Sequence, residues 1–162
     1  KGARFTLLLP LTLAVMDGMI IRAGGERFVL PIASIVETVQ FAGTKVEKLP
    51  SGQEFLRLRN ELSPLIRLAA ALGLPPSGPE QIIVMTETDR GERVGLAVEE
   101  IVNQQQVVVK SLEASYGRVP GASAATILGD GLVALIVDVD SIPMLPSLPA
   151  RTGQPALNRS AA

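Results

Sequence analysis

Apolar residues fall in short runs along this chain, and the runs come in pairs separated by turn-forming residues. The clearest pair lies at 124–139, reading Ala-Ala-Thr-Ile-Leu-Gly-Asp-Gly-Leu-Val-Ala-Leu-Ile-Val-Asp-Val. Gly and Asp accept the positive φ of a tight turn, so Gly129-Asp130-Gly131 predicts a hairpin between β-rich flanks. Residues 132–137 show no polar alternation. Both faces of that run are predicted to be buried, which places the hairpin at the centre of a β core.

The rest of the chain carries the same pattern. Residues 5–9 read as a strand ended by Pro10. Residues 13–22, interrupted by Asp17-Gly18, and 27–30 flank Ala23-Gly24-Gly25-Glu26 as a first hairpin. A single helical turn is predicted over 31–36 and a strand over 37–41. Residues 46–49 and 54–58 flank Pro50-Ser51-Gly52-Gln53 as a second hairpin, and period two sets Arg57 and Arg59 on one face, Leu56 and Leu58 on the other. Residues 60–74 fit either a helix capped by Ser63-Pro64 or a strand over 62–66 followed by a short helix over 67–72. Gly73 and Pro75-Pro76 end the helix in both cases. Residues 82–86 and 93–102 flank Thr88-Asp89-Arg90-Gly91 as a third hairpin, and 107–110 form one more strand. Residues 113–121 read as loop and 138–142 as a final turn, and a disordered tail is expected from Pro143 on. Four closely spaced hairpins predict an all-β fold of barrels or a sandwich, with minor helix. Residues 74–79, with three prolines, are the best candidate linker between two β units.

Composition narrows the function classes. Hydrophobic residues make up 47% of the 162, enough for a substantial core, while aromatics are 3% and Trp is absent, so that core is aliphatic. A net charge of -1 lacks the basic footprint of a nucleic-acid binder. Without Cys there is no disulfide framework or thiolate metal site, which fits a reducing compartment. Without His, the commonest general base and metal ligand is missing. The charge-free stretch 5–16 contains Pro10 and is shorter than the ~18 residues of a membrane span, so no membrane insertion is expected.

Few residues suggest chemistry. Gly24-Gly25 and Gly129-Asp130-Gly131 are followed by strands, whereas a phosphate cradle needs a following helix N-terminus. Asp138 with Asp140, and Glu99 with Glu100, are paired carboxylates that suit a hard cation but lack EF-hand spacing; they read as strand ends or caps. Arg57, Arg59 and Arg67 suit an acidic partner or a phosphate, against the plainer reading of a solvated face. Asn103-Gln104-Gln105-Gln106 reads as a loop or bulge between strands; otherwise it offers amide donors and acceptors to a protein partner at an exposed edge. Ile32, Ile35 and Val36 surround the turn after the first hairpin. They are core by default and a contact patch if exposed. No nucleophile, base and orienting group come together, so no catalytic residue is assigned.

Several stretches together resemble a known family. Residues 100–112 (Glu-Ile-Val-Asn-Gln-Gln-Gln-Val-Val-Val-Lys-Ser-Leu) and 121–139 are similar to the CheW-like regulatory domain of the bacterial chemotaxis histidine kinase CheA. Residues 28–37 (Phe-Val-Leu-Pro-Ile-Ala-Ser-Ile-Val-Glu), Phe55-Leu-Arg-Leu and Pro64-Leu-Ile-Arg-Leu resemble its early and middle parts. The resemblance covers about residues 13–142. Residues 1–14 look like the end of the kinase's ATP-binding domain, with Ala3 where the family usually has a hydroxyl residue.

The resemblance implies two intertwined SH3-like five-stranded barrels. It implies a division into residues 1–12, ending the ATP-binding domain, 13–146, the regulatory domain of two barrels, and 147–162, a flexible tail. It implies binding to the CheW adaptor, to the cytoplasmic tips of chemoreceptors and to other domains of the parent kinase, coupling receptor state to autophosphorylation. The expected place is the cytoplasm, at chemoreceptor arrays. ATP and Mg belong to the kinase domain, so no cofactor and no kinase activity are expected of this chain. Ile32, Ile35 and Glu37 sit where the related adaptor uses its turn for partner contacts, and Asn103, Gln104 and Gln105 form a second candidate set. A free-standing CheW-type adaptor is the nearest alternative. A nucleic-acid-binding small barrel is disfavoured by charge and by scarce stacking aromatics.

Overall fold

The computed structural model describes residues 14–111 and 119–144. The strand expected over 5–9, the division at residue 12 and the tail expected from 147 lie outside them. Eleven strands form in the described residues: β1 (Val15–Ala23), β2 (Glu26–Pro31), β3 (Ile35–Gln40), β4 (Lys45–Lys48), β5 (Glu54–Leu58), β6 (Glu61–Arg67), β7 (Ile82–Glu87), β8 (Arg93–Val98), β9 (Glu100–Val108), β10 (Ala122–Ile127) and β11 (Val133–Val137). One α-helical turn, α1 (Leu68–Ala71), follows β6. The expected all-β class with minor helix is what folds.

Tight turns set the strand pairs. Gly24 (φ 59°) and Gly25 (φ 78°) supply both positive φ values of a two-residue loop between β1 and β2. Three further hairpins share one turn geometry. Leu49, Thr88 and Leu128 each donate an N–H to the carbonyl four residues on, while Gly52, Gly91 and Gly131 donate back. Those glycines have φ of 93°, 81° and 85°, the left-handed conformation that closes a three-residue loop. Between β5 and β6 the two positive-φ positions are Arg59 (48°) and Asn60 (70°). Arg59 is therefore a turn residue and not, as expected, a strand partner of Arg57. Residues 61–67 resolve as strand. Pro64 is tolerated because the ladder to β8 begins only at Leu65, leaving a strand on one side of it. α1 ends in a Schellman cap, with Leu74 N–H bonded to Ala69 O (2.8 Å) and Gly73 N–H to Ala70 O (3.0 Å).

The strands make two sheets, ordered β10-β11-β2-β1-β9 and β3-β7-β8-β6-β5-β4. The first closes on itself through a bridge between Lys110 and Ala125. In the second, the edge strands β3 and β4 are joined by residues 41–44 alone. That link reaches at most about 18 Å, whereas six flat strands would hold their edges about 24 Å apart, so this sheet must also curl. The two five-stranded barrels implied by the resemblance are thus a five-stranded and a six-stranded one, the short β4 adding a strand to the second.

The chain leaves the first sheet after β2, builds the whole second sheet, and returns for β9–β11. Residues 74–79 therefore do not separate two β units. They connect α1 to β7 within one sheet, and the crossings fall at 31–35 and 98–100. Prolines and small residues mark a surface connection; strand pairing decides which barrel a segment joins.

Strand alternation explains the apolar runs. Ile20, Val29, Ala134 and Ile136 fill the first barrel, and Leu56, Leu65, Ile83, Met85 and Ala97 fill the second. Their neighbours Met19, Ile21, Phe28, Leu30, Leu135 and Val137 from one sheet, with Val84, Val94, Leu96 and Val98 from the other, make a third core at the seam. Central strands are thus buried on both faces, and this is why 132–137 lacks polar alternation. Among the described residues, one buried polar side-chain atom, Thr126 Oγ1, has no hydrogen-bond partner; it lies on the same face of β10 as Ala124. Thr126→Val removes that hydroxyl at nearly the same volume. It is expected to stabilise the fold by about 1 kcal/mol, read as a higher urea midpoint at unchanged slope.

Candidate docking site

Pro31 leads into a 3-10 turn, Ile32–Ser34, closed by Ile35 N–H bonding to Ile32 O. The turn carries the chain from one sheet to the other, so its side chains meet the seam. Ile32 and Ile35 are half-buried and pack against the seam core. The next residue is the exposed one. The register between β3 and β7 shifts between Ile35 and Glu37, making Val36 a bulge residue without a partner on β7. Val36 is 42% exposed. Glu37, half-buried, accepts a hydrogen bond from Arg59 Nη2 at 3.0 Å.

Beside Val36 the surface is a shallow groove whose walls include Glu37, Arg59, Ser63 and Arg93. Leu62, 50% exposed on β6, borders an adjoining depression that shares Ser63 and Arg93. Arg93 donates to Glu61 Oε2 at 3.0 Å and lies 3.8 Å from Glu87. Two apolar side chains thus stand within a frame of paired charges. Sequence reasoning singled out this turn but not Leu62. A leucine alternating with polar residues on a strand gives no sign of which face is covered.

The Gln run is a strand rather than the expected loop or bulge. Asn103, Gln104, Gln105 and Gln106 lie within β9, paired with Ile20, Met19, Gly18 and Asp17 of β1. Polar amides sit in a strand there because this stretch is mostly exposed. The extra residue is instead Val102, exposed between Ile101 and Asn103. The expected break at Asp17-Gly18 is also absent, because β1 runs through both. A Cβ on Gly18 would overlap Val29 Cγ1, so glycine serves close packing there. These two candidate sets lie on different barrels: Ile32, Ile35 and Glu37 at the seam and the second sheet, Asn103, Gln104 and Gln105 on the first.

The remaining candidate charges have internal partners. Glu99, 9% exposed, accepts from Gly25 N–H (3.3 Å), Ser77 N–H (3.3 Å) and Ser77 Oγ (2.8 Å). It ties the first turn of one barrel to the 74–79 connection of the other. Glu100 pairs with Arg22 at 2.6 Å. Asp140 accepts from Asp89 N–H at 2.7 Å and Asp138 from Asp140 N–H at 3.2 Å. Asp130 accepts from Leu132 N–H at 3.1 Å and pairs with Arg27, contacts that hold its carboxyl below the usual range. Arg57 pairs with Glu47 at 3.1 Å. Among the described residues, no group of acidic side chains is arranged to hold a metal ion.

Arg67 is the most heavily engaged charge. Nε and Nη2 donate to the two oxygens of Glu54 (2.8 and 3.1 Å), Nη1 pairs with Glu80, and the guanidinium lies 5.4 Å from the Phe41 ring centroid. The two acids shift in opposite directions. The bidentate bond to Arg67 holds Glu54 below its ordinary value. Burial pushes Glu80 up, outweighing Arg67, and the charges of Glu54 and Glu99 add to the rise. A lowered folded pKa gives stability above the unfolded pKa that is lost as pH falls through the folded one. Glu54→Gln should therefore cost about 1 kcal/mol at pH 7, allowing for solvent screening. The difference from wild type should close as pH falls below 4.5, the ordinary value for Glu54, and denaturation series at several pH values would record it.

The family pattern of the CheW-like domain matches residues 17–144. The chain belongs to the CheW-like domain family. Chemotaxis protein CheA of Klebsiella aerogenes is 43% identical over 147 residues, covering 90% of this chain and 22% of that protein. The CheA proteins of Rhizobium meliloti and Salmonella typhimurium are 43% and 44% identical over 88% of the chain, covering 19% and 22% of their lengths. This CheW-like chain thus spans about a fifth of the curated relatives it matches. Its fold is like that of the scaffolding protein TtCheW from Thermoanaerobacter tengcongensis, with a TM-score of 0.65 over 80% of this chain and 92% of that one, at 16% identity. No described helix of the CheW-like domain is long and apolar enough to cross a membrane.

Proposed function

We propose that this CheW-like domain is the regulatory and scaffolding part of a chemotaxis histidine kinase. In this reading it binds a CheW-type adaptor and the tips of chemoreceptors, and passes receptor state on to the kinase. The similarity to CheA over most of the chain supports the setting. The observation that carries the docking reading is the exposed pair Val36 and Leu62, framed by Arg59–Glu37 and Arg93–Glu61. Apolar anchors desolvated inside a polar, charge-paired rim are how a specific protein interface is built. The ion pairs hold both side chains of each pair in place and favour a partner of complementary charge over others.

The test is a calorimetric titration of the chain against the CheW adaptor of the same cell. Val36→Asp places a charge on the anchor and is expected to weaken binding at least about tenfold while leaving the fold intact, because Val36 is a surface residue. Ile35 is unsuited to that test, since it packs on the seam core. Equal affinity for wild type and Val36→Asp would remove this face from the docking reading.

A further inference from the structure

We propose that the outer edge of β9 pairs with the same edge of a second copy of this chain, antiparallel, through residues 103–107. This surface belongs to the first barrel and is independent of the adaptor face on the second.

The direction of the backbone groups is fixed by observed bonds. Val109 N–H donates to Ala14 O at 2.8 Å, on the β1 side. Lys110 N–H donates to Ala125 O (2.8 Å) and its carbonyl accepts from Ala125 N–H (2.9 Å), on the opposite side. Residues in an antiparallel ladder alternate in this respect. Residues 103, 105 and 107 therefore face β1, and 104, 106 and 108 face outward. The register set by Lys110 and Ala125 would continue with Val108 opposite Ile127 and Gln106 opposite Gly129. β10 ends at Ile127, and residues 128–132 turn back into β11. β10 is thus too short to cover β9. The main-chain groups of Gln104 and Gln106 have no backbone partner among the described residues.

Edges of this kind are normally blunted by charge or proline. Residues 101–109, Ile-Val-Asn-Gln-Gln-Gln-Val-Val-Val, contain neither. The bulge at Val102 bends the strand at one end and Ile127 stands opposite Val108 at the other, which limits the usable edge to 103–107. Charge selects the occupant. Two identical strands pairing about a twofold axis bring each residue opposite one from the same short stretch, so a charged residue would meet its like. An uncharged run of amides escapes that repulsion, and Gln side chains can both donate and accept across the axis. With the axis at Gln105, Gln104 of one copy faces Gln106 of the other and four backbone hydrogen bonds form. So small a contact is weak, with a dissociation constant on the order of 0.1–1 mM; an array that holds copies side by side would raise its occupancy.

The experiment uses the 162-residue chain. Sedimentation velocity from about 10 µM to about 1 mM, a decade below the tightest expected constant up to the weakest, should show the average mass rising towards a dimer. Gln104→Lys, which sets like charges about the axis, should return it to monomer. The chain has no cysteine, so introduced ones report alone. A mixture of Gln104→Cys and Gln106→Cys chains should cross-link on mild oxidation at least about tenfold faster than an Arg90→Cys control in the exposed β7–β8 turn. A monomer at every concentration overturns the proposal, as does association that survives Gln104→Lys or cross-linking no faster than the control. Slow exchange of the Gln104 and Gln106 amides in dilute monomer would also overturn it, because the chain would then be covering its own edge.

Discussion

Leu96→Ala is expected to destabilise the protein by about 3 kcal/mol, and to do so in both barrels at once. Leu96 lies on β8 of the second sheet and is 1% exposed. Its side chain belongs to the seam core with Met19, Ile21, Phe28 and Leu30 of the first sheet. Truncation removes three carbons from a packed site and leaves a cavity that neither rigid sheet can collapse to fill. The loss is a large part of the 5–15 kcal/mol that holds a typical domain together. Because one core serves both sheets, urea unfolding should remain a single transition with a lower midpoint. Amide protection should fall in β1 and β2 as much as in β7 and β8. Wild-type protection in the first sheet of the variant would mean that the barrels are stabilised separately.

Gly95→Val should cost a comparable amount by the opposite route. Gly95 lies on β8 with its missing side chain directed into the second barrel. A Cβ there would overlap Leu56 Cδ2 and stand 3.1 Å from Ile83 Cγ2 and 3.3 Å from Met85 Sδ. Leu56 and Ile83 are fully buried, so neither can swing out to solvent. Overpacking of this kind costs about 1–3 kcal/mol, and a β-branched residue lies at the upper end because its rotamer choice is narrow. Denaturation of Gly95→Val and Gly95→Ala side by side would check it, with valine the more damaging. A variant as stable as wild type would mean that the barrel interior has room the packing does not show.

Much of the fold is legible in the sequence because it is local. The three turns at Gly52, Gly91 and Gly131 need a left-handed residue, and glycine announces it. Gly73 does the same for the end of α1. The unbroken run 132–137 reports burial on both faces, which the seam and the first barrel supply through Leu135 with Val137 and Ala134 with Ile136. What is not local is not legible. Nothing in residues 74–79 says that they stay within one sheet, since proline and glycine signal a bend and not a change of barrel. The Gln run looks like loop because amides are rare in strands, yet β9 needs apolar residues only where it meets a core, at Ile101 and from Val107 on. At the candidate site, Ile32, Ile35 and Val36 look alike as aliphatic neighbours. A one-residue bulge in β3 exposes Val36 and leaves the two isoleucines against the seam. Arg59 reads as a strand residue because its turn uses Arg-Asn where glycine would have been the warning.

The placement of one barrel inside the other in chain order also sets a sequence of events during synthesis. β3–β8 are all available once Val98 has emerged, and chains emerge N-terminus first at about 5–20 residues per second. β1 and β2 at that moment lack β9, β10 and β11, the remaining strands of their own sheet. Among the described residues, the seam face of the newly formed second barrel, at Val84, Leu96 and Val98, is then an apolar surface ready to receive Ile21 and Leu30. The first hairpin is thus expected to rest on its neighbour before its own barrel exists. Ile20 and Val29, on its other face, stay open to water until the last three strands are made.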